Sequence, residues 1–479
     1  MLSGSNAARP AYETIRRLSA GATFVLGSAW FVSRGHSRAA QSLMTTTSSS
    51  ILAPAAELTS EHEADRLWFI DGKAYDLTEF VRKHPGGQAA ISLGRGTNCS
   101  ELFRCYHFRK QPPSKLFAPY EVQVDRDDPR NIERLAGVGF TFDEAGFYKT
   151  VQGRARAYFS DSGKKHGASV AEQAAALLLI AAAILLMGPA YVQGSVVAAF
   201  ALGFARAIAS VNCGHNLSHF SVFRRGRWNA LVFRLGSPFL VSSWAIWASS
   251  HVRSHHVYTL TPDDLQDNYP LKRVQATMPH RSWHRVQHFY IWLVYLLGLP
   301  LWSAQDLVLS GVSLFSGEHM GQRFPLRERL ANIGAIGVNL LLTVALPFFF
   351  LPWPKALLVC FIANAVSSLM VTLQIVVNHE VPETAGKIVA GERRDWGEHQ
   401  VLTSHNYGVE SAFALHMSGG LNMQIEHHLF PSIYYTHYPA LSKIVREACV
   451  EFGLPYNTSS SIVEAVQKHY RLLELNSTP

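Results

Sequence analysis

The chain has 479 residues, of which 48% are hydrophobic and 16% charged, with a net charge of +8. Its basic residues form no stripe interleaved with aromatics, which argues against nucleic acid as a partner, and five scattered cysteines without a Cys-x-x-Cys indicate neither a disulfide framework nor a zinc site. Apolar residues are gathered into long runs, so membrane lipid is the favoured surroundings.

Residues 1–56 carry five Arg, many Ser and Thr and a single acid, Glu13, around the apolar run Ser19–Val32. That run is shorter than the roughly 20 residues a bilayer span takes, so the segment reads as a leader, either targeting or disordered. Residues 57–125 have the mixed charge and spaced aromatics (Trp68, Tyr75, Phe80) of a small soluble domain. Its tight turn, His84-Pro85-Gly86-Gly87, would present the His84 imidazole into a crevice where backbone can pass close to a flat cofactor. Residues 126–168 are polar and charged, as expected of a linker with a short amphipathic helix.

Uncharged apolar runs follow at Ala174–Val192, Asn332–Trp353 and Ala356–Val377, with Gly194–Cys213 interrupted only by Arg206. Each is long enough to cross a hydrocarbon core of about 30 Å. Asn229–Ala248 and Phe289–Phe315 are less clean, holding Arg234 and Pro238, and Pro300, Gln305 and Asp306, respectively. Eight histidines stand near the ends of these stretches: His215 and His219; His251, His255 and His256; His379; His427 and His428. Imidazole is a good iron ligand, and a single metal centre needs all its ligands on one side of the membrane. Parity then makes the two less clean stretches interfacial or re-entrant, leaving four spans in two hairpins across a membrane domain of residues 169–456, followed by a tail, 457–479. The Arg224, Arg225, Arg227 flank makes the histidine side cytosolic. On an α-helix His251 and His255 share a face and His256 lies about 100° round, so this cluster can address two adjacent metals.

Two stretches carry a family resemblance. Trp68-Phe69-Ile70-Asp71-Gly72-Lys73-Ala74-Tyr75-Asp76-Leu77-Thr78 with His84-Pro85-Gly86-Gly87 and Glu101-Leu102-Phe103-Arg104-Cys105-Tyr106-His107 resembles cytochrome b5. That resemblance implies haem b held by His84 and His107, a pair that leaves no open iron position and suits one-electron transfer. Gly419-Gly420-Leu421-Asn422-Met423-Gln424-Ile425-Glu426-His427-His428, then Leu429-Phe430-Pro431, with Tyr258-Thr259 after the second histidine cluster, resembles the membrane fatty acid desaturases, specifically the cytochrome b5-fused front-end group. The likeness runs from about Trp68 to Tyr456.

The resemblance implies two irons bound by His215, His219, His251, His255, His256, His427 and His428, with an additional ligand falling on His379. Gln424 is left open between ligating, holding a water and packing. Asn216 departs from the usual His-Asp pattern, and where an Asp could orient a ligating imidazole an amide pulls more weakly. The implied activity is an O2-dependent desaturation of a long-chain polyunsaturated acyl group, carried as acyl-CoA or in a phospholipid. NADH electrons would arrive through a separate cytochrome b5 reductase and the chain's own haem. A sphingolipid long-chain-base desaturase or a related di-iron hydroxylase is the alternative. The expected fold is a small α+β haem domain before an all-α polytopic membrane domain of four transmembrane helices plus interfacial helices, mushroom-like with a cytosolic cap. The expected location is the endoplasmic reticulum membrane, or an organellar membrane if the leader directs it there.

Overall fold

The computed structural model describes residues 63–108, 114–136, 139–241, 243–266, 271–316, 318–319, 322–387 and 393–479. The leader 1–56 and residues 57–62 of the haem domain lie outside the described residues.

The N-terminal domain is built on a hairpin of β1 (Trp68–Ile70) and β2 (Lys73–Tyr75), with Trp68 opposite Tyr75. Asp71 and Gly72 connect them with φ of 52° and 75°. A two-residue type I′ turn requires positive φ at both positions, and Asp-Gly supplies it at low cost. β3 (Glu121–Val122) completes the sheet in the order β1-β2-β3. Helices α1 (Gln88–Ser92) and α2 (Ser100–Tyr106) follow the histidine-bearing turn, and Trp68, Ile70, Tyr75, Leu77 and Cys99 form the buried core.

The connecting region is more than a tether. Helix α3 (Phe147–Ser162) buries Phe147, Tyr148, Val151, Ala155 and Phe159, a helical spacing that seats it in the largest core cluster beside Trp396, Phe430 and Tyr438. Gly163 ends the helix in the left-handed conformation at φ 63°.

Among the described residues, four helices are long and apolar enough to cross a membrane: Val170–Val192, Val196–Ser218, Leu326–Phe349 and Trp353–Val376. The first contains α4 (Val170–Met187), opened by a capping box in which Ser169 Oγ accepts from the Glu172 amide at 3.2 Å and Glu172 returns to the Ser169 amide at 2.6 Å. The second contains α5 (Val196–Ala209). Leu178, Leu185, Val197 and Phe349 stand exposed on these helices, apolar side chains that lipid would cover.

Both less clean stretches are bent. Helix α6 (Gly226–Leu240), with Pro238 inside it, meets the next helical segment, Trp244–Tyr258, at 106°. Helix α7 (Gln287–Leu296) meets α8 (Gly298–Ser316) across Leu297, where the bend is 80°. The third span begins six residues earlier than its apolar run, because the charged first turn of α9 (Leu326–Leu340) is already helical.

Helix α10 (Trp353–Val376) packs tightly on α5: a Cβ added at Gly203 would lie 2.5 Å from the Ala363 carbonyl oxygen. In the same contact the buried Arg206 donates to Asn364 Oδ1 at 3.1 Å, and Asn364 Nδ2 donates to the Thr343 carbonyl at 2.7 Å. Arg206 is thus a hydrogen-bonded structural group between helices.

After the third histidine motif on α11 (Gln424–Leu429) come α12 (Tyr438–Glu451) and α13 (Ile462–Leu475). Composition alone leaves residues 457–479 as a tail, yet α13 buries Ala465, His469, Leu472 and Leu473. Arg273 donates to the carbonyls of Asn476 and Thr478 and anchors the chain's end.

Gly203→Leu is expected to force α5 from α10 and cost about 1–3 kcal/mol, the usual penalty of overpacking. A lowered thermal midpoint in detergent, read against Gly311→Leu at a position with no neighbour within 4 Å, measures it.

Candidate metal centre and haem site

The first two histidine clusters each begin on a π-helical turn and end just beyond it. Helix α5 continues as a π-helix over Ser210–His215 before a last α-turn, Asn216–Ser218, and the second cluster begins in a π-helix over Ala248–His255. A π-turn closes i→i+5 hydrogen bonds, so the α-helical register does not carry across it. The α-helical expectation that His251 pairs with His255 is therefore corrected. His251 and His256 enter one group with His215, His219 and His427, while His255 joins His379 and His428. Within each group the candidate ligand atoms all lie within 4.8 Å of one another.

In the five-membered group His251 Nε2 lies 3.1 Å from His215 Nε2, 3.1 Å from His219 Nε2 and 3.2 Å from His256 Nε2, and His427 Nε2 is 3.0 Å from His256 Nε2. Two imidazoles at right angles on one ion, each about 2.1 Å away, are separated by about 3 Å. The spacing fits ligands of a shared cation.

The opposite ring edges explain why Nε2 faces inward. His251 Nδ1 pairs with Gln266 Oε1 at 2.7 Å, and His255 Nδ1 with Asp264 Oδ2 at 2.9 Å. His379 Nδ1 pairs with the Thr403 carbonyl at 2.8 Å and His428 Nδ1 with Gln400 Oε1 at 2.8 Å. These oxygens only accept, so the proton sits on Nδ1 and the Nε2 lone pair is free. His219 Nδ1 meets the Tyr106 hydroxyl at 2.8 Å and His427 Nδ1 the Tyr438 hydroxyl at 3.0 Å. Burial, then the neighbouring rings, hold His219, His251, His256, His427 and His428 well below the usual imidazole range, and push His379 down to about 3. The rings are neutral, as metal ligation requires.

Of the rings in the five-membered group only His251 has an acceptor-only partner on Nδ1, while His215 Nδ1 and His256 Nδ1 are buried with no hydrogen-bond partner. The group therefore brings several ring nitrogens to about 3 Å of His251 Nε2 in an arrangement that a cation would satisfy. His428 Nε2 in the smaller group is likewise buried with no hydrogen-bond partner. Both donor sets fit metal ions. Gln424 lies beside the smaller group, its Nε2 2.9 Å from His379 Nε2 and its Oε1 accepting from Asn378.

The Asn216 side chain directs its hydrogen bonds to backbone carbonyls and Ser221 rather than to a histidine ring. Its amide donates to the carbonyls of Val211 and Gly419, each at 3.1 Å, bracing the first π-turn against the Gly-Gly loop before the third motif. An aspartate could not donate there, so the expected weakening of an imidazole's orientation does not apply. His405 and His416 stay outside both groups, paired with the Val377 carbonyl and Ser459, and with Tyr435, respectively.

In the N-terminal domain the rings of His84 and His107 face each other with centroids 6.1 Å apart. Two metal–imidazole bonds of about 2 Å, extended to the ring centres, span about 6 Å. His84 Nδ1 pairs with the Gly87 carbonyl at 3.2 Å and His107 Nδ1 with the Phe103 carbonyl at 2.7 Å, which frees both Nε2 atoms. A Cβ at Gly86 would come 2.7 Å from the His84 ring, so only glycine leaves that ring in place. The residues present fit a bis-histidine haem.

An apolar cavity of about 110 Å³ reaches both histidine groups, with His215, His251 and His255 in its wall beside Val241, Trp247, Val371 and Ile375. The supporting partners Tyr106, Asp264, Gln266, Gln400 and Tyr438 escaped sequence reasoning. They come from loops and helices with no spacing signature, and only Asp264, close after the second cluster, left a local hint.

A polytopic helical domain with a buried histidine centre, joined to a cytochrome-like module, is the architecture of a membrane oxidoreductase with its own electron carrier. Residues 189–460, more than half the chain, match the fatty acid desaturase family, and residues 54–124 match the cytochrome b5-like heme/steroid binding domain. The chain belongs to the fatty acid desaturase family, which implies iron at the histidine centre and haem in the first domain. It is 27% identical over 444 residues to a probable Delta(5) fatty acid desaturase C of Dictyostelium discoideum, covering 85% of this chain and 91% of that one. It is 28% identical over 440 residues to a chloroplastic acyl-lipid (7-3)-desaturase of Chlamydomonas reinhardtii, covering 85% and 80%.

Asp264→Asn is expected to weaken metal binding about 10- to 100-fold by loosening His255, with haem unchanged. Metal titration of the apoprotein measures it. Acid should act on the whole centre. The buried imidazoles bind protons less readily in the folded chain than at their ordinary value of 6.5, so their contribution is full above that pH and is lost as pH falls below it. Metal content and stability should both drop between pH 7.5 and pH 5, as followed by elemental analysis and thermal unfolding.

Proposed function

We propose that the chain is a front-end acyl-lipid or acyl-CoA desaturase that inserts a double bond between an existing double bond and the carboxyl end of a long polyunsaturated acyl chain. The observation that carries this reading is the pair of buried histidine groups opening on one apolar cavity, in a chain that brings its own one-electron carrier. The named relatives, a Delta(5) and a (7-3) acyl-lipid desaturase, support the front-end assignment over a sphingolipid base or a hydroxylation.

In this reading His215, His219, His251, His256 and His427 hold one iron, and His255, His379 and His428, with Gln424 beside them, hold the other. His84 and His107 hold the haem. The iron pair supplies the O2-derived oxidant that removes hydrogen from an unactivated methylene, chemistry no side chain can perform. The protein's share is positioning. Val241, Trp247, Val371 and Ile375 exclude water and bind methylenes, fixing which carbon pair lies against the histidines. Gln266, Asp264, Thr403, Gln400 and Tyr438 keep the Nε2 lone pairs aimed inward. Electrons enter from NADH through a separate cytochrome b5 reductase. The Arg224, Arg225, Arg227 flank supports a cytosolic catalytic side, with the endoplasmic reticulum as the membrane.

Yeast expressing the chain and fed a panel of polyunsaturated acids should form a product with one new double bond on the carboxyl side of an existing one, located by mass spectrometry. His255→Ala or His427→Ala should abolish that product at unchanged protein level. Retained product in either variant, or an altered ceramide base with fatty acids untouched, contradicts the reading.

A further inference from the structure

The two domains meet at their redox residues. Tyr106, immediately before His107, reaches out of the haem domain so that its hydroxyl oxygen lies 2.8 Å from His219 Nδ1. The two rings are nearly parallel, 15° apart, with centroids separated by 6.4 Å. With a cation held on His219 Nε2, its Nδ1–H would donate to the Tyr106 oxygen. One side chain thus connects the residue next to the His107 ring to a ring of the histidine centre.

The docking around this contact is close. The turn bearing His84 lies on the first residues of α6, where a Cβ at Gly226 would come 1.7 Å from the Gly86 carbonyl oxygen and one at Gly87 3.2 Å from the Arg227 amide. Gly87 also has φ of 92°, so both sides of the contact depend on the missing side chain. Buried Glu101 accepts from the Tyr258 hydroxyl at 3.4 Å and from the Gly139 amide at 3.1 Å. On the far side Gln322 donates to the carbonyls of Ser92 and Arg95. Four contacts on different elements hold the domain against the membrane body in this one pose.

We propose that electrons pass from haem to the histidine centre in this docked pose, and that Tyr106 is the positioning residue that couples them through His219; this rests on the desaturase reading above. In the step, ferrous haem gives up one electron and becomes ferric, and one iron(III) of the centre becomes iron(II). No proton moves: Tyr106 remains a neutral phenol and His219 keeps its Nδ1 proton. The haem is restored by the reductase before a second transfer.

Laser-flash photoreduction of the haem in anaerobic, all-ferric, full-length protein, followed by decay of the ferrous-haem absorbance, tests this. The decay amplitude reads the fraction of molecules with a loaded centre, whereas the first-order rate constant reads the coupling within each loaded molecule. Tyr106→Phe keeps the packed ring and removes the hydroxyl. Its rate constant is expected to fall several-fold with an unchanged haem spectrum. Gly226→Val, which displaces the haem domain without touching a histidine, should slow the decay as well. An unchanged rate constant in Tyr106→Phe overturns the proposal, even if lost iron lowers the amplitude, since a purely structural tyrosine would act on amplitude alone. An unchanged rate constant in Gly226→Val overturns the docked pose. Absence of any decay in the unaltered chain would instead remove the iron pair, and with it the desaturase reading.

Discussion

Lone-pair crowding is the constraint on which the rest of the structure turns. Buried imidazoles bring Nε2 atoms to about 3 Å of one another, and His251, its proton held on Nδ1 by Gln266, faces three of them at once. In a low-dielectric interior that arrangement is unfavourable unless a cation sits among them. The fold is organised to keep it. One span and one bent segment carry π-turns, another span delivers His379 just past its last turn, and a loop opened by two left-handed glycines, Gly419 and Gly420, feeds His427 and His428 in from the other side. Gly420 admits no Cβ, which would lie 2.3 Å from that of Tyr435.

The acceptors on Nδ1 make the inward aim a property of the protein rather than of the metal. Gln266, Asp264, Thr403 and Gln400 come from segments remote from the histidines' own helices or from the loop beyond them, so the ring orientations are set by tertiary packing. Such preorganisation shapes a site before an ion enters it. The linking helix α3 belongs to the same scheme, since its buried aromatics pack the core on which Trp396 and the Gln400 helix rest. The cavity touches both histidine groups and its exposed lining is largely apolar, a surface that suits a hydrocarbon chain.

Much of this was legible in the chain. Long uncharged runs marked four spans, the two Pro-containing stretches set apart from them are bent, and His84-Pro85-Gly86-Gly87 marked the first domain. The eight histidines were found by cluster and by family likeness, and the structure gathers all of them into two groups. What was not legible shares a physical cause. The partition of His251, His255 and His256 depends on a π-turn, which adds one residue to a turn and has no compositional signature. Asn216 reads as a weakened aspartate until its amide is seen donating to two carbonyls. Residues 457–479 look like a tail because their anchor, Arg273, lies some two hundred residues away in sequence. Tyr106 was quoted only as part of a haem motif, and its contact with His219 exists only once the two domains are docked.

The central claim is that two histidine groups each hold an iron in addition to the haem. Purified full-length protein, analysed for total iron by plasma mass spectrometry and for haem by the pyridine haemochrome spectrum, tests it most directly. The account predicts three irons for every haem, with two of them released by acid while the haem is retained. One iron per haem, in protein that still carries out the desaturation, would contradict it.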